Sequence, residues 1–311
     1  MPSPHFSNVL IFSATGEAGS AMALEAHARG ARVTLTLRDV SKPSEWISPE
    51  QERAAGLHRT IADLTDPVAV TRAVHQTGSQ AAFIYAVRSS DMMRAGPSPR
   101  LRNAGIQYVV FLSTSQVKNA GDTKGDIHSI ERDHFIPWQH TQVEMRLEEP
   151  SLPHTALGGG VSHQKSVPHD PIDPADIGRV AGAVLVNPRL YASGYQATNG
   201  PTPRKDVVYL SGPALLSQSE QWDIISWTLA AAGKPQVKAT HMTVEQYLKH
   251  LAALNVPDMV AKSLAKSMVE TKALYAGEDY KKQRDNVELL ASRKATSFED
   301  FVKREIPKYF R

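Results

Sequence analysis

Short apolar runs alternate with amphipathic helical patterns along the first half of the chain. Ser20 to Arg29 has apolar residues at helical spacing before Gly30, and Asp66-Pro67 opens a second such stretch that Gly78 ends. A third helix near 92–103 is expected to be short, because the segment contains one glycine and two prolines. The remaining apolar runs predict six strands: Asn8 to Phe12, Arg32 to Leu37, Leu57 to Ala62, Ala81 to Ala86, Gln107 to Thr114 and His154 to Leu157.

The pattern changes after Ser115. A polar stretch from Gln116 to His140 is too long for an ordinary connection, so it is predicted to be a lid or another functional loop. The elements predicted beyond it are a helix from Gln142 to Glu148, the strand that ends in Gly158, Gly159 and Gly160, a helix from Asp173 to Val186, a strand from Val207 to Ser211, and helices that begin at Ser217, Thr243 and Ser297.

These elements predict an α/β fold in two parts. Residues 1–157 are expected to form a Rossmann-type doubly wound parallel sheet that binds a dinucleotide. Residues 158–311 are expected to form a smaller, mostly helical C-terminal substrate lobe, whose strands partly rejoin the first sheet.

Composition narrows the range of functions. The 311 residues include 35 Lys and Arg against 32 Asp and Glu, and no cysteine, which excludes disulfides and thiol chemistry. A net charge of +3 spread along the chain does not favour a nucleic-acid partner, and the scattered histidines do not favour a metal site. Because there is neither a basic apolar leader nor an apolar run of about 18 residues, we expect a cytoplasmic protein without membrane contact.

The segment after the first strand has the small residues that a phosphate-binding turn needs. It resembles G-x-x-G-x-x-G with serine in the first position, and the residues predicted to bind the cofactor are Ser13, Thr15, Gly16, Glu17, Ala18 and Gly19. Backbone amides at a helix N-terminus must approach a pyrophosphate closely, and the last glycine lets the helix pack on the strand. The order strand, turn and helix supports this interpretation.

The second strand ends in Arg38-Asp39. A basic residue there accommodates the 2′-phosphate of NADP, whereas an acidic one accepts the ribose hydroxyls of NAD. Arg38, with Lys42 as a helper, favours NADP(H); the alternative is that Arg38 forms only a surface ion pair while Asp39 binds the ribose. The ends of the other strands complete the predicted cofactor site: Asp63, Leu64, Tyr85, Ala86, Val87, Ser113, Thr114, Ser115, Gly158 and Gly159.

Several runs along nearly the whole chain, taken in order, resemble one family. They are TGEAG, LTLRD, IADLTDP, NAGIQYVVFLSTS, HTQVEMRL, PADIGRVAGAVL, YLSGPALLS and SFEDFVKREIP. Together they resemble the NmrA-like branch of the atypical short-chain dehydrogenase/reductases. The resemblance implies the fold and the cofactor, but it leaves the activity open. The family includes NADP-binding redox sensors that regulate transcription without catalysis, reductases, and fungal natural-product enzymes that in some cases couple reduction to cyclisation.

The resemblance also locates the expected catalytic position. Reductases of the family carry a lysine where this chain has Thr141, and no tyrosine here has a lysine four positions on. His140 is the candidate replacement, because imidazole can donate a proton near neutral pH; its alternative role is to cap a helix. Glu144 is expected to bond backbone around the loop. An iminium carbon that is already cationic would accept hydride with little acid catalysis.

We therefore expect an NADPH-dependent reductase, with reduction coupled to cyclisation in some cases, that acts on a bulky natural-product intermediate of alkaloid type in secondary metabolism. The alternative is a non-catalytic NADP sensor that binds a transcription factor, and either could form a homodimer. Residues predicted to contact the small-molecule substrate are Gln116, Lys118, Gly160, His163, Lys165 and Trp222. Core packing is nevertheless the expected role of most of the large apolar residues Trp222, Trp227, Tyr247, Met259 and Met268.

Overall fold

A single parallel sheet organises the chain. The computed structural model describes residues 4–12, 14–87, 98–119, 126–148, 152–159, 170–191, 207–240, 242–270 and 283–309. Seven strands lie in the order β3-β2-β1-β4-β5-β6-β7, so the predicted doubly wound parallel sheet is confirmed. The strands are β1 Asn8–Phe12, β2 Arg32–Leu37, β3 His58–Ile61, β4 Ala81–Tyr85, β5 Tyr108–Thr114, β6 His154–Gly159 and β7 Val207–Tyr209.

Helices cover the sheet and make up most of the C-terminal third. They are α1 Glu17–Ala28, α2 Pro49–Ala54, α3 Pro67–Thr77, α4 Ser98–Asn103, α5 Phe135–Glu148, α6 Pro174–Val186, α7 Pro188–Tyr191, α8 Gln218–Ala231, α9 Val244–Ala253, α10 Asp258–Glu270, α11 Asn286–Ala291 and α12 Phe298–Tyr309. Two short 3-10 helices, Ser115–Asn119 and Ile127–Ser129, precede α5. None of the helices in the described ranges is long and apolar enough to cross a membrane.

Strand β1 supplies side chains to two separate cores. Val9 and Ile11 pack with α1 and α6 on one face, whereas Leu10 and Phe12 pack with α3 and α5 on the other. Because both faces are covered, the strand is a continuous apolar run rather than an alternating one. Strand β1 also lies between β2 and β4, where the order of the strands reverses. The turn after β1 is therefore at the topological switch point, where sheets of this kind bind ligands.

Two glycines bring α6 into backbone contact with α1. A Cβ added at Gly178 would lie 2.1 Å from the Ala18 carbonyl oxygen, and one at Gly182 would lie 2.7 Å from the Met22 oxygen. Real carbon and oxygen atoms do not approach this closely, so only glycine fits at these two positions. Helix α6 thus fixes the position of α1, and with it the position of the turn that precedes α1.

The C-terminal part is joined to the sheet at several points. Helices α8 and α12 share a small core of Leu229, Val302 and Ile306. The side-chain amide of Asn286 in α11 donates to the Tyr209 carbonyl at 2.9 Å, which ties α11 to β7. The division into residues 1–157 and 158–311 stays a prediction; β6 runs across that boundary and β7 joins the same sheet.

Local capping signals are confirmed. Asp66 accepts from two amides at the start of α3, and Gly78 ends that helix in the left-handed region, with φ of 61°. Asp173 caps α6, and the predicted capping boxes at Ser217 and Thr243 are both present.

Two predicted helix starts were wrong, and helix α2 was missed. Helix α1 begins at Glu17 rather than Ser20, and α5 begins at Phe135 rather than Gln142. Part of the predicted lid is therefore α-helix or 3-10 helix. Helix α2 was missed because Pro49–Ala54 buries no residue and so has no apolar stripe. The short helix expected near 92–103 is α4, while residues 92–97 of that prediction lie outside the described residues.

Candidate cofactor site

The turn between β1 and α1 ends at a helix N-terminus. Gly16 is the exposed N-cap of α1, and no side chain of the described residues caps the helix there. The Ser20 hydroxyl donates to the Ala14 carbonyl at 3.1 Å and lies 3.1 Å from the Ser44 hydroxyl. An uncapped helix N-terminus attracts an anion, both through its unpaired N–H groups and through the helix dipole. Ser13 lies outside the described residues; Thr15, Glu17, Ala18 and Gly19 all belong to this turn or to the first turn of α1.

Arg38 projects from the end of β2 into solvent. Its side chain is 86% exposed, and its Nε lies 4.0 Å from an Asp63 carboxylate oxygen, at the limit of an ion pair. The Asp39 carboxylate instead accepts from the Ser41 amide at 2.9 Å and the Ser41 hydroxyl at 2.6 Å. These bonds hold the pKa of Asp39 below its ordinary value. Arg38 is thus the group at this position that is open to an incoming anion.

The loop that carries Lys42 is held by a residue that the sequence did not single out. Arg59 of β3 donates to the Val40 carbonyl at 2.7 Å and to the Lys42 carbonyl at 2.8 Å, and its Nε donates to Glu52 of α2 at 2.9 Å. A charged residue within the four-residue strand His58–Ile61 was the available signal. Lys42 itself is exposed, and its charge helps to lower the pKa of Asp39.

The end of β4 lies close to Arg38 and Asp63. Burial, and secondarily the Asp63 carboxylate, raise the pKa of the Tyr85 hydroxyl, while Arg38 opposes the shift. Tyr85, Ala86 and Val87 are partly buried against the second core, and Leu64 is fully buried in it. The structure thus brings Tyr85 close to both Asp63 and Arg38.

Strands β5 and β6 end side by side. Ser113 pairs with Gly158 and Thr114 with Gly159 in the strand register. The Ser113 hydroxyl donates to the Glu144 carboxylate in α5, which ties the end of β5 to that helix. The expected bonding of Glu144 to the loop backbone stays a prediction. Ser115 begins the 3-10 helix.

Gln116 follows at the rim of these strand ends. Its amide donates to the Thr114 hydroxyl at 3.3 Å. Its side-chain carbonyl oxygen is buried and has no hydrogen-bond partner within the described ranges. A buried acceptor without a donor favours binding of a polar group, so Gln116 remains a candidate for substrate contact.

His140 and Thr141 lie inside α5, not ahead of it. The predicted position before the helix and the alternative helix-cap role of His140 were therefore both wrong. Burial lowers the pKa of His140 to about 4, although a backbone hydrogen bond with Leu112 opposes the shift. Its Nδ1 is buried without a partner among the described atoms, and its ring lies 5.8 Å from that of Phe111. The Thr141 hydroxyl is buried and donates to the Trp138 carbonyl at 2.8 Å.

At pH 7 the His140 ring is neutral and carries no extra proton to donate to a substrate. Its part in turnover stays a prediction.

The lowered pKa of His140 makes the stability of the protein depend on pH. Between about pH 6.5 and 4 the unfolded histidine binds a proton that the folded one does not, so the free energy of unfolding should fall by roughly 2–3 kcal/mol as pH falls. His140→Gln should remove that part of the pH dependence, measured by urea unfolding, whereas the exposed control His58→Gln should keep it. Identical pH slopes in both variants would contradict the assignment.

Other predicted substrate residues are placed only in part. Gly160, His163 and Lys165 lie outside the described residues, and Lys118 is in the 3-10 helix without a described side chain. Trp222 lies on α8 with 39% of its surface exposed. Core packing was the wrong expectation for Trp222, Trp227 and Met259, which are all exposed.

The C-terminal helix reaches the phosphate turn. The Arg304 guanidinium contacts the Glu17 carboxylate and donates two hydrogen bonds, of 2.7 and 3.0 Å, to Asp173. Burial raises the pKa of Glu17 to about 7, while Arg304 opposes this shift. The motif pattern gave no signal for the contact, because 287 positions separate its two residues.

Comparison with known proteins identifies the family. No family model matches the chain. Nitrogen metabolite regulation-like protein bik4 of Gibberella fujikuroi is 66% identical over 330 residues, which cover 100% of both chains. This chain belongs to the NmrA-like family. The resemblance inferred from the sequence is thereby confirmed.

Solved structures share the fold of this NmrA-like chain at low identity. The leucoanthocyanidin reductase–NADPH complex of Vitis vinifera has a TM-score of 0.64 at 13% identity, covering 96% of this chain and 99% of that one. NmrA, a negative transcriptional regulator solved with NADP, has a TM-score of 0.63 at 13% identity, covering 97% and 96%. AtPrR2 with NADP+ and (+)pinoresinol has a TM-score of 0.60 at 14% identity, covering 96% and 98%. At such identities the likeness concerns the fold alone.

The residues of this NmrA-like chain fit a phosphorylated dinucleotide. The uncapped N-terminus of α1 offers amides to a pyrophosphate, and the exposed Arg38 offers a guanidinium to a further phosphate. Gly158 and Gly159, which pair with Ser113 and Thr114 in the strand register, have no side chains that would hold a ring away from the backbone. Among the described residues no group of three or more acidic or histidine side chains could hold a metal ion.

Proposed function

We propose that this protein binds NADP(H) at the carboxyl edge of β1, β2, β4, β5 and β6, and that it reduces a bulky natural-product intermediate. The observation that carries the proposal is the exposed Arg38 guanidinium, which lies at the end of β2 beside the uncapped phosphate turn. The Ser41 bonds of Asp39 support the phosphate role of Arg38 over the ribose alternative. The NADP(H) present in three structures of the same fold supports it independently.

Each part of the edge has a distinct role in this proposal. The turn residues Gly16 to Gly19 bind the pyrophosphate through backbone amides, and Arg38 with Lys42 binds the 2′-phosphate. Asp63, Leu64 and Tyr85 border the adenine, while Ala86, Val87 and the ends of β5 and β6 border the nicotinamide. When bound, NADPH supplies a hydride.

The two predicted catalytic residues are poor proton donors, which favours a substrate that needs no proton from the protein. The Thr141 hydroxyl is committed to Trp138, and His140 is uncharged at neutral pH. We therefore favour an iminium substrate: its carbon gains the new C–H bond, its nitrogen becomes a neutral amine, and no proton is required. The chain has then only to orient the substrate and exclude water, with the buried Gln116 oxygen as a candidate acceptor for one polar group. Coupling of reduction to cyclisation stays a prediction.

The missing acid also favours a second candidate, a non-catalytic NADP sensor that binds a transcription factor. One structure of the same fold is described as a negative transcriptional regulator and was solved with NADP. The two candidates share the cofactor site. They differ in whether the bound NADPH transfers its hydride to a substrate.

Turnover separates the two candidates. NADPH consumption, followed by absorbance at about 340 nm with product analysis, should occur with iminium substrates and not with matched ketones. His140→Ala should lower kcat less than about tenfold, whereas loss of a true general acid would cost about 10²–10⁴-fold. The sensor replaces the reductase if two results are obtained together. None of the tested iminium compounds or ketones causes the wild-type protein to consume NADPH, and the NADP-bound protein retains a transcription-factor fragment.

Cofactor discrimination tests the role of Arg38. Arg38→Ala should weaken NADPH binding by about 10- to 100-fold and leave NADH binding nearly unchanged, because only NADPH has the phosphate that the guanidinium binds. Titration calorimetry measures both. Arg53→Ala is the matched control, since Arg53 is an exposed arginine on α2 that pairs with Glu50. Equal losses for both nucleotides would place Arg38 in a structural role.

A further inference from the structure

Helix α12 contacts the two segments that would bind the phosphates of the cofactor, the start of α1 and the loop after β2. Arg304 bridges Glu17, the first residue of α1, and Asp173, the N-cap of α6. One turn later, the Lys308 ammonium lies 3.4 Å from the centroid of the Trp46 ring, in the loop that follows Lys42. Glu17 is 12% exposed and Asp173 is fully buried, so Arg304 pairs with carboxylates that water screens weakly.

Glu17 poses an electrostatic problem for the phosphate turn. Its backbone N–H is among the first free amides of α1, the groups that would meet a pyrophosphate. The same residue carries a carboxylate, and an unpaired negative charge so close to a pyrophosphate would repel it strongly at low dielectric. Arg304 supplies the compensating positive charge from the far end of the chain.

We propose that Arg304 is a positioning residue of the cofactor site: it neutralises and holds Glu17 so that the phosphate turn accepts the pyrophosphate, which makes the C-terminal helix α12 part of that site. The inference rests on the proposed binding of NADP(H). It adds a residue 285 or more positions beyond the turn, which no motif of the turn contains.

The protonation of Glu17 gives this role a pH signature. The charged groups that face Glu17 are Arg304, Glu305 and Lys308 from α12 and Asp173 from the start of α6. In an Arg304→Met variant the main cation is gone, so the pKa of Glu17 rises further. Below that pKa the residue is neutral and repels nothing; above it the carboxylate is ionised and unpaired. The loss of NADPH affinity should therefore grow with pH, whereas a merely structural defect would weaken binding equally at every pH.

The experiment is NADPH titration by calorimetry between about pH 6 and pH 9, with the thermal midpoint of each variant recorded. Arg304→Met should bind within about threefold of wild type at pH 6 and about tenfold or more weaker at pH 9. Adding Glu17→Gln should restore the affinity at pH 9, because Asp173 loses its partner in both variants and only the Glu17 charge differs. Lys303→Met, which removes the exposed partner of Glu299 on the same helix, should match wild type.

Two results would overturn the proposal. One is an Arg304→Met variant that binds like wild type throughout the range; the other is a loss that neither varies with pH nor responds to Glu17→Gln. If Arg304→Met fails to fold, Glu17→Gln alone decides: relative to wild type, its NADPH affinity should improve as pH rises, and a uniform loss overturns the inference. The failure of the proposed function gives a different result. In that case the wild-type protein itself would bind no NADPH, whereas failure of the Arg304 proposal alone would leave wild type and Arg304→Met binding NADPH equally well.

Discussion

Gly178→Ala should lower the free energy of unfolding by about 3 kcal/mol or more, at the upper end of the range for overpacked interiors. The added Cβ would lie 2.1 Å from the Ala18 carbonyl oxygen and 2.9 Å from the Ala21 Cβ. The nearest obstacle is backbone and cannot rotate aside, so α6 and α1 must separate. Because Ala18 belongs to the phosphate turn, NADPH affinity should fall together with stability. Urea unfolding and nucleotide titration of the same preparation measure both effects.

Gly56→Ala is the matched control for that substitution. Gly56 has φ of 56°, and a Cβ there would meet nothing within 4 Å. It should cost only about 1 kcal/mol, the penalty of a left-handed backbone, and leave NADPH binding unchanged. Equal costs at the two positions would show that the contact between α1 and α6 is not tightly packed.

Gly16→Val should abolish measurable nucleotide binding, a loss of about 100-fold or more, while the protein stays folded. Gly16 is the exposed N-cap of α1, so an isopropyl group there meets solvent in the free protein but would occupy the space that the pyrophosphate needs. The fold should tolerate the change, with a loss of about 1 kcal/mol in the free energy of unfolding, since valine is a poor N-cap.

Ala54→Val adds similar bulk at the exposed end of α2 and should bind NADPH like wild type. Circular dichroism verifies that both proteins are folded. Normal NADPH affinity in folded Gly16→Val would mean that the turn after β1 does not bind the pyrophosphate.

Sequence patterns predicted those elements whose signals are local. The apolar run Asn8–Phe12 identified β1 because both faces of a central parallel strand are buried, and Asp66 and Asp173 identified helix starts because each caps its own next turn. The small residues around Gly16 identified the turn between β1 and α1, because they too are a signal within one short segment.

Other features depend on contacts that no local pattern contains. Helix α5 buries Gln139, Thr141 and Glu144, polar residues that a hydrophobic pattern assigns to solvent, so its first half was taken for a loop. The pairing of Arg304 with Glu17 depends on how the last helix packs against the first. Even the exposure of Trp227, at 66%, contradicts the usual burial of its residue type.

The edge of the sheet beside Arg38 is the proposed NADP(H) site. Titration calorimetry of the wild-type protein with NADPH and, separately, with NADH at neutral pH measures binding there. We expect one nucleotide to bind per chain, with NADPH about 10- to 100-fold tighter than NADH. Equal affinities, or no binding of NADPH, would contradict it.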